Sequence, residues 1–178
     1  MTTSTWDYEN QVTQVENYQG DVVTYTYGIV TQKTDQKRVS KDDGAEEIRY
    51  RWDADNIAQE TDDVGTVVAD YTLQPEAQGD LISQYRDLES NFYHFDGRTN
   101  TACLTDSTEV VTNEYVLDAW GVIVSESTVG SAPENEFLFM GQKQVQRDGA
   151  FGTKNPNYWA RARQYDSKSG RFRSNVGS

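Results

Sequence analysis

Polar and apolar residues alternate along this chain in short runs rather than recurring at helical spacing. In Val22-Val23-Thr24-Tyr25-Thr26-Tyr27, strand geometry puts Val23, Tyr25 and Tyr27 on one face and Thr24 and Thr26 on the other. Gln11 to Val15, Thr66 to Tyr71 and Val110 to Tyr115 read the same way. Turn clusters separate them: Asp7-Tyr8-Glu9-Asn10, Tyr18-Gln19-Gly20-Asp21, Asp53-Ala54-Asp55-Asn56, Asp62-Asp63-Val64-Gly65 and Asp118-Ala119-Trp120-Gly121. Asn and Gly accept left-handed backbone angles, and Asp bonds amides two residues on. Each pair of strands with its turn predicts a β-hairpin.

The hairpins repeat. A unit of the form aromatic-x-aromatic-Asp occurs at Tyr50-Arg51-Trp52-Asp53, Tyr93-His94-Phe95-Asp96 and Tyr115-Val116-Leu117-Asp118. Looser copies end at Asp7, Gly28, Gln74, Met140 and Asp166, which spaces the eight units 21 to 26 residues apart. A lone hairpin is marginal in water, so the units are expected to stack edge to edge and share a ladder of rings. Cross-strand aromatic pairs contribute roughly 0.2–1 kcal/mol each. The predicted fold is all-β, with about eight hairpins in a spiral or strongly curved antiparallel sheet and no sizeable helix. Pro75 to Asp80 predicts an exposed turn before a strand from Leu81 to Tyr85. Residues 143–157, with Gly149, Gly152 and Pro156, predict an irregular surface loop.

Composition changes this picture in two ways. Hydrophobic residues are only 35% of the 178, while aromatics are 12% and include 11 Tyr, so rings with polar tips must supply much of the packing. The net charge is −13, which weighs against nucleic acid and anionic lipid as partners. The length fits one domain or one piece of a larger one. One Cys and one His exclude an intrachain disulfide and a thiolate cluster, and no cofactor or metal is expected. The chain shows no signal peptide and no apolar run of membrane-spanning length.

Several residues invite a chemical reading. Asp7, Asp53, Asp96, Asp118 and Asp166 share one slot; they are either turn caps or a row of carboxylates for calcium, best at Asp53-Ala54-Asp55-Asn56. The rings of Tyr25, Tyr27, Tyr50, Trp52, Tyr93, Phe95, Phe137 and Phe139 form either a packed ladder or a sugar-stacking strip. Trp120 and Trp159 fall in or near turns and are the candidates for binding a glycan. His94 and Asp96 share a face but lack a nucleophile, and Cys103 is expected to pack as a small apolar group. Arg161, Arg163, Arg171 and Arg173 make the C-terminal end basic, and alternation puts Arg161 and Arg163 on one face.

The Tyr-x-Tyr-Asp pattern at this period resembles the YD repeat of RHS (rearrangement hotspot) proteins. The second half is more specific. "YHFDGRTNTACLTDSTEVVTNEYVLDAWG", "FLFMGQK" and "NYWARARQYDSKSGRFRS" resemble the RHS repeat-associated core region, above all at Arg161-Ala162-Arg163-Gln164-Tyr165-Asp166 and Gly170-Arg171-Phe172. Trp52, Asp53, Tyr93, Phe95, Asp96, Asp118 and Gly121 complete the scaffold motif. The resemblance implies YD-repeat hairpins over residues 1–90 and a core region over 91–178, continuous as one unit. It implies a hairpin shell of the kind that encloses polymorphic toxins. In many members an aspartate pair cuts the chain after the core, and Asp166 is the candidate catalytic residue here. Ser167 and Val176-Gly177 stand where the family has Pro and a second Asp-Pro, so self-cleavage and enzymatic activity are not expected. The expected role is a non-enzymatic scaffold at the end of such a shell, with a glycan- or protein-binding module as the alternative. The expected partners are further repeats or copies of the chain at open sheet edges, and a toxin or cell-surface ligand. The expected location is outside the cell or on its surface.

Overall fold

Strand follows strand across one antiparallel sheet, each paired with its sequence neighbours. The computed structural model describes residues 2–17, 19–29, 36–130, 132–149, 155–161 and 163–173. Among these the large sheet holds twelve strands. They are β1 (Thr3–Trp6), β2 (Val12–Glu16), β3 (Val22–Ile29), β4 (Gln36–Asp42), β5 (Glu47–Asp53) and β6 (Asn56–Thr61). The order continues through β7 (Val67–Leu73), β8 (Leu81–Arg86), β9 (Glu89–Phe95), β10 (Thr101–Thr105), β11 (Val111–Leu117) and β12 (Ile123–Thr128). Residues 132–145 then form a strap, with one short 3-10 turn at Gly141–Lys143. It leads into a second sheet of β13 (Gln146–Asp148), β14 (Asn157–Ala160), β15 (Arg163–Asp166) and β16 (Arg171–Phe172). Residues 90 and 91 sit inside β9, which pairs with β8 and β10 on either side. Of the residues singled out above, Tyr18, Gly152, Ala162, Val176 and Gly177 lie outside the described residues.

The turns explain the period. At Asp7, Asn17, Asp62, Asp96, Asp106 and Asp118, the side-chain Oδ1 accepts the N–H groups of the residues two and four positions on. The residue three positions on has positive φ in every case: Asn10, Gly20, Gly65, Thr99, Glu109 and Gly121. This is a three-residue hairpin loop closed by a left-handed residue. Asp53 breaks the pattern. Its hairpin has only Ala54 and Asp55 between Asp53 and Asn56, with Ala54 at φ 49°. Asp87 and Leu88 make a similar two-residue turn, both at positive φ.

The rings do not form a cross-strand ladder. Tyr25, Tyr50, Tyr71, Tyr93 and Tyr115 are all buried. Their directly paired residues are Lys41, Glu60, Gln84, Leu104 and Glu126. The reason is the repeat itself. One unit is two strands, so equivalent rings stand on alternate strands, about 9.5 Å apart, beyond ring contact. The rings pack instead on what covers the inner face. Tyr71 meets Phe137 of the strap edge-on at 5.2 Å, and Trp52 meets Trp159 of β14 at 5.7 Å.

The expected surface loop at 143–157 is also corrected. From Gln144 to Asp148 every residue but Arg147 is buried. These polar side chains look like surface in the sequence, yet they bond the inner face of the sheet. Gln144 pairs through both ends of its amide with the backbone N–H and C=O of Ile57, as a strand would. Arg161 is not a strand residue. It sits in the β14–β15 turn at φ 60°, so it does not share a strand face with Arg163.

Neighbouring residues of the second sheet grip opposite parts of the first. Trp159 packs against Trp52 and Arg38, while Tyr158 and Tyr165 donate to the carbonyls of Gly121 and Trp120 in the β11–β12 turn. The turn thereby leaves no room at Gly121, where a Cβ would lie 2.8 Å from the Phe139 ring and 3.0 Å from Tyr158. Gly121→Ala is expected to cost about 2 kcal/mol or more, from overpacking and a strained φ of 86°. Gly65→Ala, at φ 91° with open space around it, should cost about 1 kcal/mol. Urea midpoints of the two variants check this difference.

Asp96 generates a second expectation. Burial pushes its carboxyl up, but bonds from the Asn100 side chain and the Arg98 and Asn100 amides outweigh burial and hold it below 3.8. Its contribution to stability is therefore complete above 3.8 and is lost as pH falls through the lower folded value. Asp96→Asn should flatten the fall in stability below about pH 5 in acid titrations followed by circular dichroism.

Candidate functional site

Three polar networks occupy the buried side of the large sheet. The first joins its N-terminal strands to the second sheet. Arg38 on β4 is enclosed between the rings of Tyr25 (4.2 Å) and Trp159 (4.5 Å), with Nη2 3.4 Å from Asp148 on β13. Asp148 accepts from Tyr25 Oη at 2.7 Å and from Gln164 Nε2 at 3.0 Å. Arg38 and Asp148 are 1% and 0% exposed, so this charge pair is fully desolvated. Burial lifts the Tyr25 phenol far above its ordinary value, with the Asp148 charge adding to the rise.

The second network centres on Glu60 of β6. Its carboxylate accepts from Tyr71 Oη at 3.0 Å and from Arg86 Nη2 at 2.5 Å. Burial raises the Glu60 pKa; Arg86 opposes the rise and the charge of Glu136 adds to it. The third network is Lys41, Glu136 and Gln146. Lys41 Nζ lies 3.1 Å from Glu136, and Gln146 Nε2 donates to Glu136 at 2.5 Å and to Tyr50 Oη at 3.0 Å. Burial disfavours the Lys41 ammonium, but Glu136, Tyr50 and Asp148 together outweigh burial and raise its pKa.

Between the second and third networks is a cavity of about 280 Å³. Tyr50, Glu60, Arg86, Lys41 and Glu136 line it, and Asp43, Glu46, Asp87 and Glu134 add further carboxylates. Six acidic groups face two basic ones, so the space attracts cations and repels phosphate. No group of three or more His, Cys, Asp or Glu side chains able to hold a metal ion occurs among the described residues.

The residues expected to act from the sequence are placed elsewhere. At the proposed calcium turn, the Lys37 ammonium lies 3.0 Å from Asp55 and donates to the Ala54 carbonyl, taking the place a cation would hold. Asp7, Asp96 and Asp118 cap their own turns, and Asp166 accepts the Lys168 N–H and lies 3.5 Å from Arg173. Trp159 is 1% exposed, buried against Arg38 and Trp52, so no sugar can reach its ring. Trp120 is 59% exposed and lies close over Gly170. Arg163 stacks on Phe172 at 4.0 Å, and Arg171 and Phe172 are exposed on β16. Tyr93 and Phe95 stack within one strand. His94 meets Thr105 at 3.0 Å, and Cys103 is a half-buried free thiol. The networks built on Arg38, Glu60, Arg86, Glu136 and Asp148 were not anticipated. The alternation of β8 carries the one available signal, since it puts Arg86 in phase with inward-facing Gln84.

No family model matches the chain. Curated relatives include tRNA3(Ser)-specific nuclease WapA of Bacillus spizizenii, 27% identical over 176 residues; the match covers 97% of this chain and 7% of that protein. Among solved structures, a TcdB2–TccC3–TEV crystal structure superposes with a TM-score of 0.70 at 15% identity, over 97% of this chain and 9% of the other. The Photorhabdus luminescens Tc holotoxin pore matches with a TM-score of 0.64 at 15% identity, over 99% and 9%. The chain thus has an RHS-like fold, a curved all-β hairpin array that is not closed. The relatives also correct the expectation of a purely structural, non-enzymatic role, because they are named as tRNA nucleases. That expectation was drawn from Ser167 and Val176-Gly177, which stand where the family has its aspartate-pair motif, and an incomplete self-cleavage pair says nothing of other activities; the match spans only 7% of the relative's length.

Arg38 is the residue on which the junction of the two sheets is expected to depend. Removing one member of a buried pair leaves the other charge uncompensated, at about 3–5 kcal/mol. Arg38→Met should lower stability by that order. Arg49→Met, whose partner Glu47 is on the surface, should leave it nearly unchanged. Chemical denaturation of both variants checks the contrast.

Proposed function

We propose that this chain works as one length of an RHS/YD-repeat toxin whose activity is cleavage of tRNA. Similarity to the WapA nucleases along 97% of the chain carries the reading, and the RHS-like sheet supports it. Residues from Tyr93 to Phe172 supply the motif of an RHS-associated core. The nuclease activity is assigned to the whole polypeptide, of which the matched stretch is a small part. The net charge of −13 concerns the surface of this length and not the substrate of the whole. Export from the cell follows from the toxin reading. Among the described residues the edge strands β1 and β12 each have one unpaired side, where further repeats would pair.

The test is direct. The purified gene product that contains these residues is incubated with total tRNA, and the tRNA ends are mapped. Cleavage at defined positions in particular tRNAs is expected. Intact tRNA, with ribosomal RNA and DNA also untouched, would overturn the reading.

A further inference from the structure

The cavity between the middle strands of the sheet and the strap has chemistry that its own networks do not use up. Lys41 is engaged by Glu136, and Arg86 by Glu60 and Tyr71. Asp43 is occupied by the N–H groups of Ala45 and Glu46. Glu46, Asp87 and Glu134 are exposed around the cavity and have no basic partner among the described residues. The space is therefore left with uncompensated negative charge.

A second observation is independent of that charge. The Arg86 side chain lines the cavity and is 7% exposed, yet its Nε–H has no acceptor among the described residues. A buried N–H left unpaired costs about 1–3 kcal/mol, more where the group is charged. The cavity thus calls for a ligand with both a cation for the carboxylates and an oxygen acceptor for Arg86. A metal ion or a simple polyamine lacks the acceptor; a phosphate or carboxylate ligand has the wrong charge. At about 280 Å³ the space lies just under the roughly 300–1,000 Å³ of small-molecule sites, which suits one long side chain.

We propose that this cavity is a binding site for an arginine side chain of a peptide segment. The guanidinium presents five donors in a planar fork, enough to meet Glu46, Asp87 and Glu134, and the peptide carbonyl is the acceptor for Arg86. The inference concerns binding by these 178 residues and stands whether or not the polypeptide cleaves tRNA.

Titration of the ¹⁵N-labelled chain with acetyl-Gly-Arg-Gly-amide tests it. Saturable shifts are expected at Ile48, Tyr50 and Glu134, and none with the same peptide carrying citrulline. Asp87→Asn/Glu134→Gln should weaken binding at least tenfold with the urea midpoint unchanged, since both side chains are exposed and Asn tolerates the Asp87 φ of 55°. Glu9→Gln/Glu114→Gln, which alters the net charge equally, should leave binding intact. Equal shifts with citrulline, an equal loss in the control variant, unaltered binding in the first variant, or no saturable shift in millimolar peptide would each overturn the proposal.

Discussion

A sheet whose buried face carries Glu60, Gln84, Arg86, Asn91 and Asn113 cannot rest on an apolar cover. Each of these groups needs a hydrogen-bond partner, and a buried one left unmade costs about 1–3 kcal/mol. Glu60 and Arg86 answer each other and Asn91 accepts from Thr112 within the sheet; the strap answers the rest. Asn113 and Gln84 donate to the carbonyls of Pro133 and Glu134, and Tyr93 donates to Asn135. Thr101 bonds Phe137 and Leu138, Gln144 mimics a strand beside Ile57, and Gln146 reaches Tyr50. Phe137, Leu138 and Val145 are the buried apolar anchors within that run. The inner face is therefore specific for one cover in one register, in a way that a greasy face would not be.

The two faces of the design have separate causes. Local turn chemistry makes the hairpins: an Asx side chain caps two amides and a left-handed residue closes the loop, and this works without any tertiary partner. Curling the hairpins round a common interior needs long-range contacts. The Arg38–Asp148 pair joins residues 110 positions apart, and Tyr158 and Tyr165 hold the last large-sheet turn from the opposite side. A chain so poor in aliphatic residues replaces oil with rings and paired charges. Its interior is correspondingly sensitive to the loss of any one partner.

That economy bears on function. The likeness to nuclease relatives runs along nearly the whole chain, whereas the solved structures share the fold at low identity. The acidic cavity beneath the strap is a separate matter. It arises because Glu134 and Glu136 of the strap meet Asp43, Glu46 and Asp87 from turns that are distant in sequence.

By itself the sequence determined the hairpins, their period, the all-β class and the likeness to RHS shells, because each of these is written within about twenty residues. Asp96 and Asp118 cap turns where their spacing places them. It did not determine what covers the sheet. Gln144, Gln146 and Asp148 read as surface because polarity alone cannot report a partner more than eighty residues away, and Trp159 read as partly exposed because it stands near a turn. Ring packing was misjudged for a related reason: like positions recur every second strand, so repetition in sequence is not contact in space. Those choices belong to the tertiary structure, where burial obliges each polar group to find its complement.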